Sequence, residues 1–177
     1  HVRSRRQRQM CIRDSQMGDE SGYLVTKDQP TKIAAMEAIW ETHEAPAPLT
    51  LFAIPDEAAQ TNHAQIDVPW LFGLMGTRSL STEIPGIKEL TAQAEQRIVN
   101  GQKAIGVLEQ LRKDPANEQL REQFLAVRDD LGFGLLLKRY TNDVNAATPE
   151  MIKQAAADTI PSVTPMFWSF RIMVGSG

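Results

Sequence analysis

GIKELTAQAEQRIVNGQKAIGVLEQLRK, residues 86–113, is the stretch on which the fold turns. Ile87, Leu90, Ala94, Ile98, Ile105, Leu108 and Leu111 recur at helical intervals, so they share one stripe of a 3.6-residue helix while Glu, Gln, Lys and Arg cover the rest. A long helix with a single apolar stripe needs a partner surface. Asp114-Pro115 follows at once, a cap with proline at the first helical position, and Leu120, Phe124, Val127 and Leu131 make a second stripe. The short connection implies an antiparallel helix pair. Thr148-Pro149-Glu150 repeats the start signal for a helix running to about Ile160, before Pro161, and Thr164-Pro165 opens the last one.

Towards the N-terminus, Thr31 is expected to cap a short helix in which Ile33, Met36 and Trp40 lie near one another, with Pro46 and Pro48 marking its end. From Leu49 to Pro85 the pattern weakens: Pro55, Pro69, Gly73, Gly76 and Pro85 interrupt short apolar runs, which reads as loop with short extended or helical pieces. The class expected is therefore all-α. No internal repeat is visible.

The two ends differ from the body. His1 to Asp14 packs five arginines and the single cysteine, Cys11, into a stretch without periodicity, and Arg5 to Asp14 matches the in-frame translation of a sequencing adapter. Residues 1–15 are expected to be adapter-derived and no part of the fold. Without those five basic and one acidic side chains, 14 Lys+Arg face 21 Asp+Glu, a net charge of −7. An acidic, cysteine-free chain suits an oxidising, extracytoplasmic location and argues against a nucleic-acid partner. Ser162 to Gly177 is largely apolar but shorter than the roughly 20 residues that span a bilayer, and is read as the truncated start of a transmembrane helix.

Chemistry-bearing motifs are few. The chain has no Gly-rich phosphate loop, no CxxC pair and no HExxH, and His43 and His63 are too scattered to suggest a metal site. Lys32 and Glu37 lie five apart, about 140° around a helix, so they flank a face and do not share one. Read by themselves, they are an ordinary solvated helix side.

Thr31-Lys32-Ile33-Ala34-Ala35-Met36-Glu37-Ala38, Gly18-Asp19-Glu20-Ser21-Gly22 and Phe170-Arg171-Ile172-Met173-Val174 together resemble subunit I of the cytochrome bd-type quinol oxidases. The likeness extends through Gly76-Thr77-Arg78-Ser79 and Gly132 to Tyr140, and it covers essentially Gln16 to Gly177. It implies that residues 16–163 are a periplasmic quinol-binding loop of the long-loop type and that residues 164–177 begin the next membrane helix.

The resemblance also implies roles. Lys32 and Glu37 would be the catalytic pair: a carboxylate that accepts or relays a quinol proton, and an ammonium that steadies charge developing on the quinol oxygen. Asp19 would be a further quinol-binding residue. Met173 would be the axial ligand of a low-spin heme b, with a histidine from outside this segment opposite it. Arg171 would lie close to that heme, where its fixed charge stabilises reduced iron or pairs with a propionate; from the residues alone, snorkelling to the membrane interface is the simpler reading.

The full-length protein would then be a quinol:oxygen oxidoreductase of the bacterial inner membrane. It would also carry a high-spin heme b and a heme d, both ligated elsewhere. Ubiquinol or menaquinol would be its donor, and an oxidase subunit II, possibly with a small accessory subunit, its partners in the lipid bilayer. The fragment alone would be inactive. Two rivals stand beside this reading: a helical extramembrane interaction module without redox chemistry, and the cyanide-insensitive relative of the same family.

Overall fold

The computed structural model describes residues 17–18, 20–79 and 81–176. Asp19 and the adapter-like residues 1–15 lie outside them. The chain divides into two compact units, one formed by residues up to 87 together with those from 161 onwards, the other by residues 88–160.

In the first unit a helical stretch over 20–28, α1, leads into α2, Pro30–Glu37. Proline at the first helical position opens α2, because its missing N–H is one that a helix start leaves unpaired in any case. Thr31 is not the cap expected; that position falls to Gln29, whose side chain makes no capping bond. The helix also stops earlier than its pattern suggests. Ala38 turns left-handed at φ 52°, and the N–H groups of Ala38 and Ile39 reach back to the carbonyls of Ala35 and Ala34 at 3.3 and 2.8 Å. Ile39 and Trp40 thus enter the core from the turn after the helix and not from its face.

The all-α expectation is corrected by a β-hairpin. β1, Leu49–Asp56, and β2, Thr61–Val68, pair antiparallel, Leu49 opposite Val68 and Asp56 opposite Thr61, with irregular register either side of Phe52. Its turn is built by Asp56, whose carboxylate accepts the N–H groups of Ala58 and Ala59, both at 3.0 Å. The Ala59 bond, followed by a hydrogen bond from His63, holds the Asp56 carboxyl below its ordinary value. Asn62 fastens the hairpin to the turn after α2: it accepts the Trp40 indole N–H at 2.7 Å and donates to the Ala38 carbonyl at 2.9 Å. Helix α7, Val163–Ser176, completes the unit. Its first turn is capped from the hairpin loop, Glu57 accepting the Thr164 N–H at 2.9 Å, and Phe167 is fully buried while Trp168 meets Phe52 edge-on at 5.4 Å. Among the described residues no helix is long and apolar enough to cross a membrane.

The second unit is helical. All but the first residue of α3, Ile87–Lys113, belongs to it, followed by α4, Glu118–Val127, α5, Leu131–Leu135, and α6, Pro149–Ala157. The Thr148-Pro149-Glu150 signal holds: the Thr148 hydroxyl accepts the Met151 N–H, Pro149 is the first helical residue and Glu150 sits in the first turn. The Asp114-Pro115 signal does not. Asn117 caps α4, accepting the Leu120 N–H at 3.2 Å, and the Asp-Pro pair lies in the connecting turn. Nor does α4 close the stripe of α3, since none of its residues is buried. Ala94 and Ile98 pack instead with Leu137, Val144, Ala155 and Ala156. Between α3 and α5 the backbones touch at Gly101 and Gly134, each lying where a side chain on the other would go.

Candidate functional site

The position of Glu37 follows from the local sequence of α2. Ile33, Ala34 and Ala35 are buried, and Glu37 follows two positions later on the same inward side, only 3 % exposed. Lys32, 140° away around the axis, is exposed. The two therefore differ in environment, one charge in water and the other in the protein, and the solvated helix side expected from the residues alone does not hold for Glu37.

A carboxylate in that position demands a partner, and the partner is Arg171. Its guanidinium donates to both Glu37 oxygens, at 2.7 and 3.2 Å, a two-pronged arrangement that a planar fork makes and an ammonium does not. It also donates to the Met36 carbonyl at 2.7 Å and to the Thr50 carbonyl. The Phe167 ring stacks at 4.1 Å from it. One guanidinium thus ties α2, β1 and α7 together, with 14 % of the arginine side chain and 4 % of the glutamate exposed. Burial pushes the Glu37 carboxyl above its ordinary value, and the hydrogen bond and charge of Arg171 pull it part of the way back.

Met173 stands apart from this pair. Two residues beyond Arg171 on α7, it is 61 % exposed between the equally exposed Ile172 and Val174. Its thioether is solvent-accessible, and a thioether is a ligand of the kind that holds heme iron. Among the described residues no three His, Cys, Asp or Glu side chains converge on a possible metal position. His63 is engaged with Asp56 at 3.3 Å, and His43 lies in a bridge with Ile84.

A cavity of about 320 Å³ opens beside the start of α2, lined by Tyr23, Lys27, Pro30, Ile33, Thr77 and Glu83 among others. Neither Lys32 nor Glu37 lines it. The structure thus brings two of the sequence-derived site residues together, Glu37 and Arg171, and leaves Lys32 and Met173 on open surfaces. Sequence reasoning missed that Glu37 and Arg171 are each other's partner. The available signal was the incompatibility of an isolated arginine with an apolar helix, which calls for an anion without saying which one.

The sequence profile of a family described as Cytochrome bd terminal oxidase subunit I matches residues 10–177. The chain is similar to cytochrome bd-II ubiquinol oxidase subunit 1 of Escherichia coli (strain K12), 39% identical over 162 residues, which is 92% of this chain and 32% of that protein. It is also similar to cytochrome bd ubiquinol oxidase subunit 1 of Bacillus subtilis (strain 168), 25% identical over 151 residues, 85% of this chain and 20% of that protein. It spans a third or less of the length of these relatives.

Proposed function

The chain belongs to the cytochrome bd terminal oxidase subunit I family, and from that premise we propose that it is the quinol-oxidising portion of a respiratory oxidase. In this reading quinol is oxidised at the periplasmic membrane face, electrons pass to a low-spin heme b, and oxygen is reduced to water elsewhere in the enzyme with the help of further hemes and a second subunit. The observation that carries it is the buried carboxylate of Glu37, held above its ordinary value by desolvation, on the same short helix as the exposed Lys32.

Oxidation of a quinol releases two protons with its two electrons. The exposed Lys32 ammonium meets the quinol oxygen and offsets the negative charge that grows there as a proton leaves. Glu37, behind the surface, takes up that proton; its raised proton affinity brings it nearer the pH at which it must work, and its burial suits relay better than direct contact with the ring. Asp19 is assigned as a further acceptor at the quinol ring. Met173 would hold the heme iron by its sulfur, and Arg171 brings a fixed positive charge two residues away. When bound, a low-spin heme with a thioether ligand supplies a one-electron acceptor of raised potential.

In the full-length oxidase Glu37→Gln is expected to lower quinol turnover by about 100-fold or more, the scale of a lost proton acceptor. Lys32→Ala should also lower turnover, because the charge it offsets develops as the proton leaves. Heme absorbance is retained in both, and unchanged turnover in both would defeat the assignment. A separate measurement checks Met173: the Met173→Leu enzyme should lose the low-spin heme b band in reduced-minus-oxidised spectra, and a full band there would remove Met173 from the ligand set.

A further inference from the structure

We propose that Arg171 is a positioning residue for quinol oxidation, holding the Glu37 carboxylate in the orientation from which it accepts the quinol proton. This rests on the reading of Glu37 given above, but the observation that carries it is independent of any resemblance. The polar contacts of its guanidinium go to the loop: both oxygens of Glu37 and the carbonyls of Met36 and Thr50.

The geometry separates positioning from mere charge neutralisation. A single positive charge near Glu37 would satisfy it electrostatically and leave the carboxylate free to rotate. The two-pronged bond removes that freedom, and the two carbonyls, one from α2 and one from β1, prevent the fork from following if the carboxylate turns. Phe167, fully buried beneath the guanidinium at 4.1 Å, fixes its plane. A proton acceptor works only within hydrogen-bond reach of its donor in the right direction, so loss of that orientation lowers the chemical step and leaves binding of quinol at the exposed Lys32 intact. Lysine retains the charge at position 171 but cannot make the fork.

The test is a double-mutant cycle in the full-length, heme-loaded oxidase, with Arg171→Lys, Glu37→Gln and the pair, reading kcat and KM for quinol together with heme absorbance. Arg171→Lys is expected to lower kcat tenfold or more with KM within about twofold, and to lower it no further once Glu37 is Gln. Losses that multiply in the pair overturn the positioning role while leaving Glu37 as proton acceptor. A Glu37→Gln enzyme with normal turnover overturns the quinol reading itself and this inference with it. Should Arg171→Lys fail to assemble, Phe167→Leu, which withdraws the ring and keeps both charges, is expected to lower kcat about threefold in the parent and not in Glu37→Gln. An equal loss in both backgrounds overturns the proposal.

Discussion

Replacing Arg171 with methionine should destabilise the first unit by about 3–5 kcal/mol, the scale on which one half of a buried ion pair is missed when the other half remains. The loss should depend on pH with a definite sign. Glu37 is already held above the ordinary carboxylate range because burial outweighs Arg171. A carboxyl whose folded value is raised binds its proton more tightly in the folded chain than in the unfolded one. Its favourable contribution is therefore complete below the unfolded value and disappears as pH climbs through the folded value. Arg171→Met removes the two influences that lower Glu37, so the folded value climbs further and the decline in stability extends to higher pH. Thermal unfolding across a pH series, run beside the Glu37→Gln/Arg171→Met pair, checks this: the single variant should weaken steadily above the ordinary carboxylate range, and the pair should be flat there. A single variant as stable as the parent at neutral pH would mean that water reaches Glu37 freely.

Gly101→Ala should destabilise the second unit by about 3 kcal/mol, against the usual sign for such a change. In an unconstrained helix interior alanine is better than glycine by up to about 1 kcal/mol, because it narrows the unfolded ensemble. At Gly101 the added methyl would overlap the Gly134 nitrogen and the Asp130 carbonyl and lie 2.8 Å from the Gly134 α-carbon, all of them main-chain atoms that cannot swing aside. The helices must then separate. That opens the packing of Ile98 against Leu137 and strains the Arg97–Asp130 ion pair, 2.7 Å long on the preceding turn. Gly132→Ala is the matched control, since nothing lies within 4 Å of its missing Cβ, and there the ordinary gain should appear. Hydrogen exchange of the α3 and α5 amides distinguishes the outcomes: faster exchange in Gly101→Ala, equal or slower in Gly132→Ala. Equal protection in both would show that the helix contact is not tight.

Much of this chain was legible before any coordinates. The stripe of α3 and the Thr148-Pro149-Glu150 start depend on spacing and on the backbone preferences of a few residues, and both are in place. The pitch of a helix gave the angle between Lys32 and Glu37, but not that Glu37 is the buried one. The hairpin was not legible: β2, TNHAQIDV, is mostly polar and exposed, β1 contains Pro55, and a pair held chiefly by ladder bonds, an aspartate turn and the Asn62 bridge leaves little hydrophobic alternation to read. The early end of α2 was equally hidden, because a left-handed alanine carries no residue signature.

Sequence by itself determined that α3 and α6 are helical and that the chain is acidic, and by resemblance it singled out Lys32, Glu37, Arg171 and Met173 as candidates. Tertiary structure alone decided that Glu37 and Arg171, 134 positions apart, form one buried unit, and that Gly101 and Gly134 are where two helices touch. The physical reason is the range of the forces. Helical periodicity and capping act over a few residues and are written locally, whereas the cost of burying a charge or closing a backbone contact is met by whichever distant group the fold carries to it.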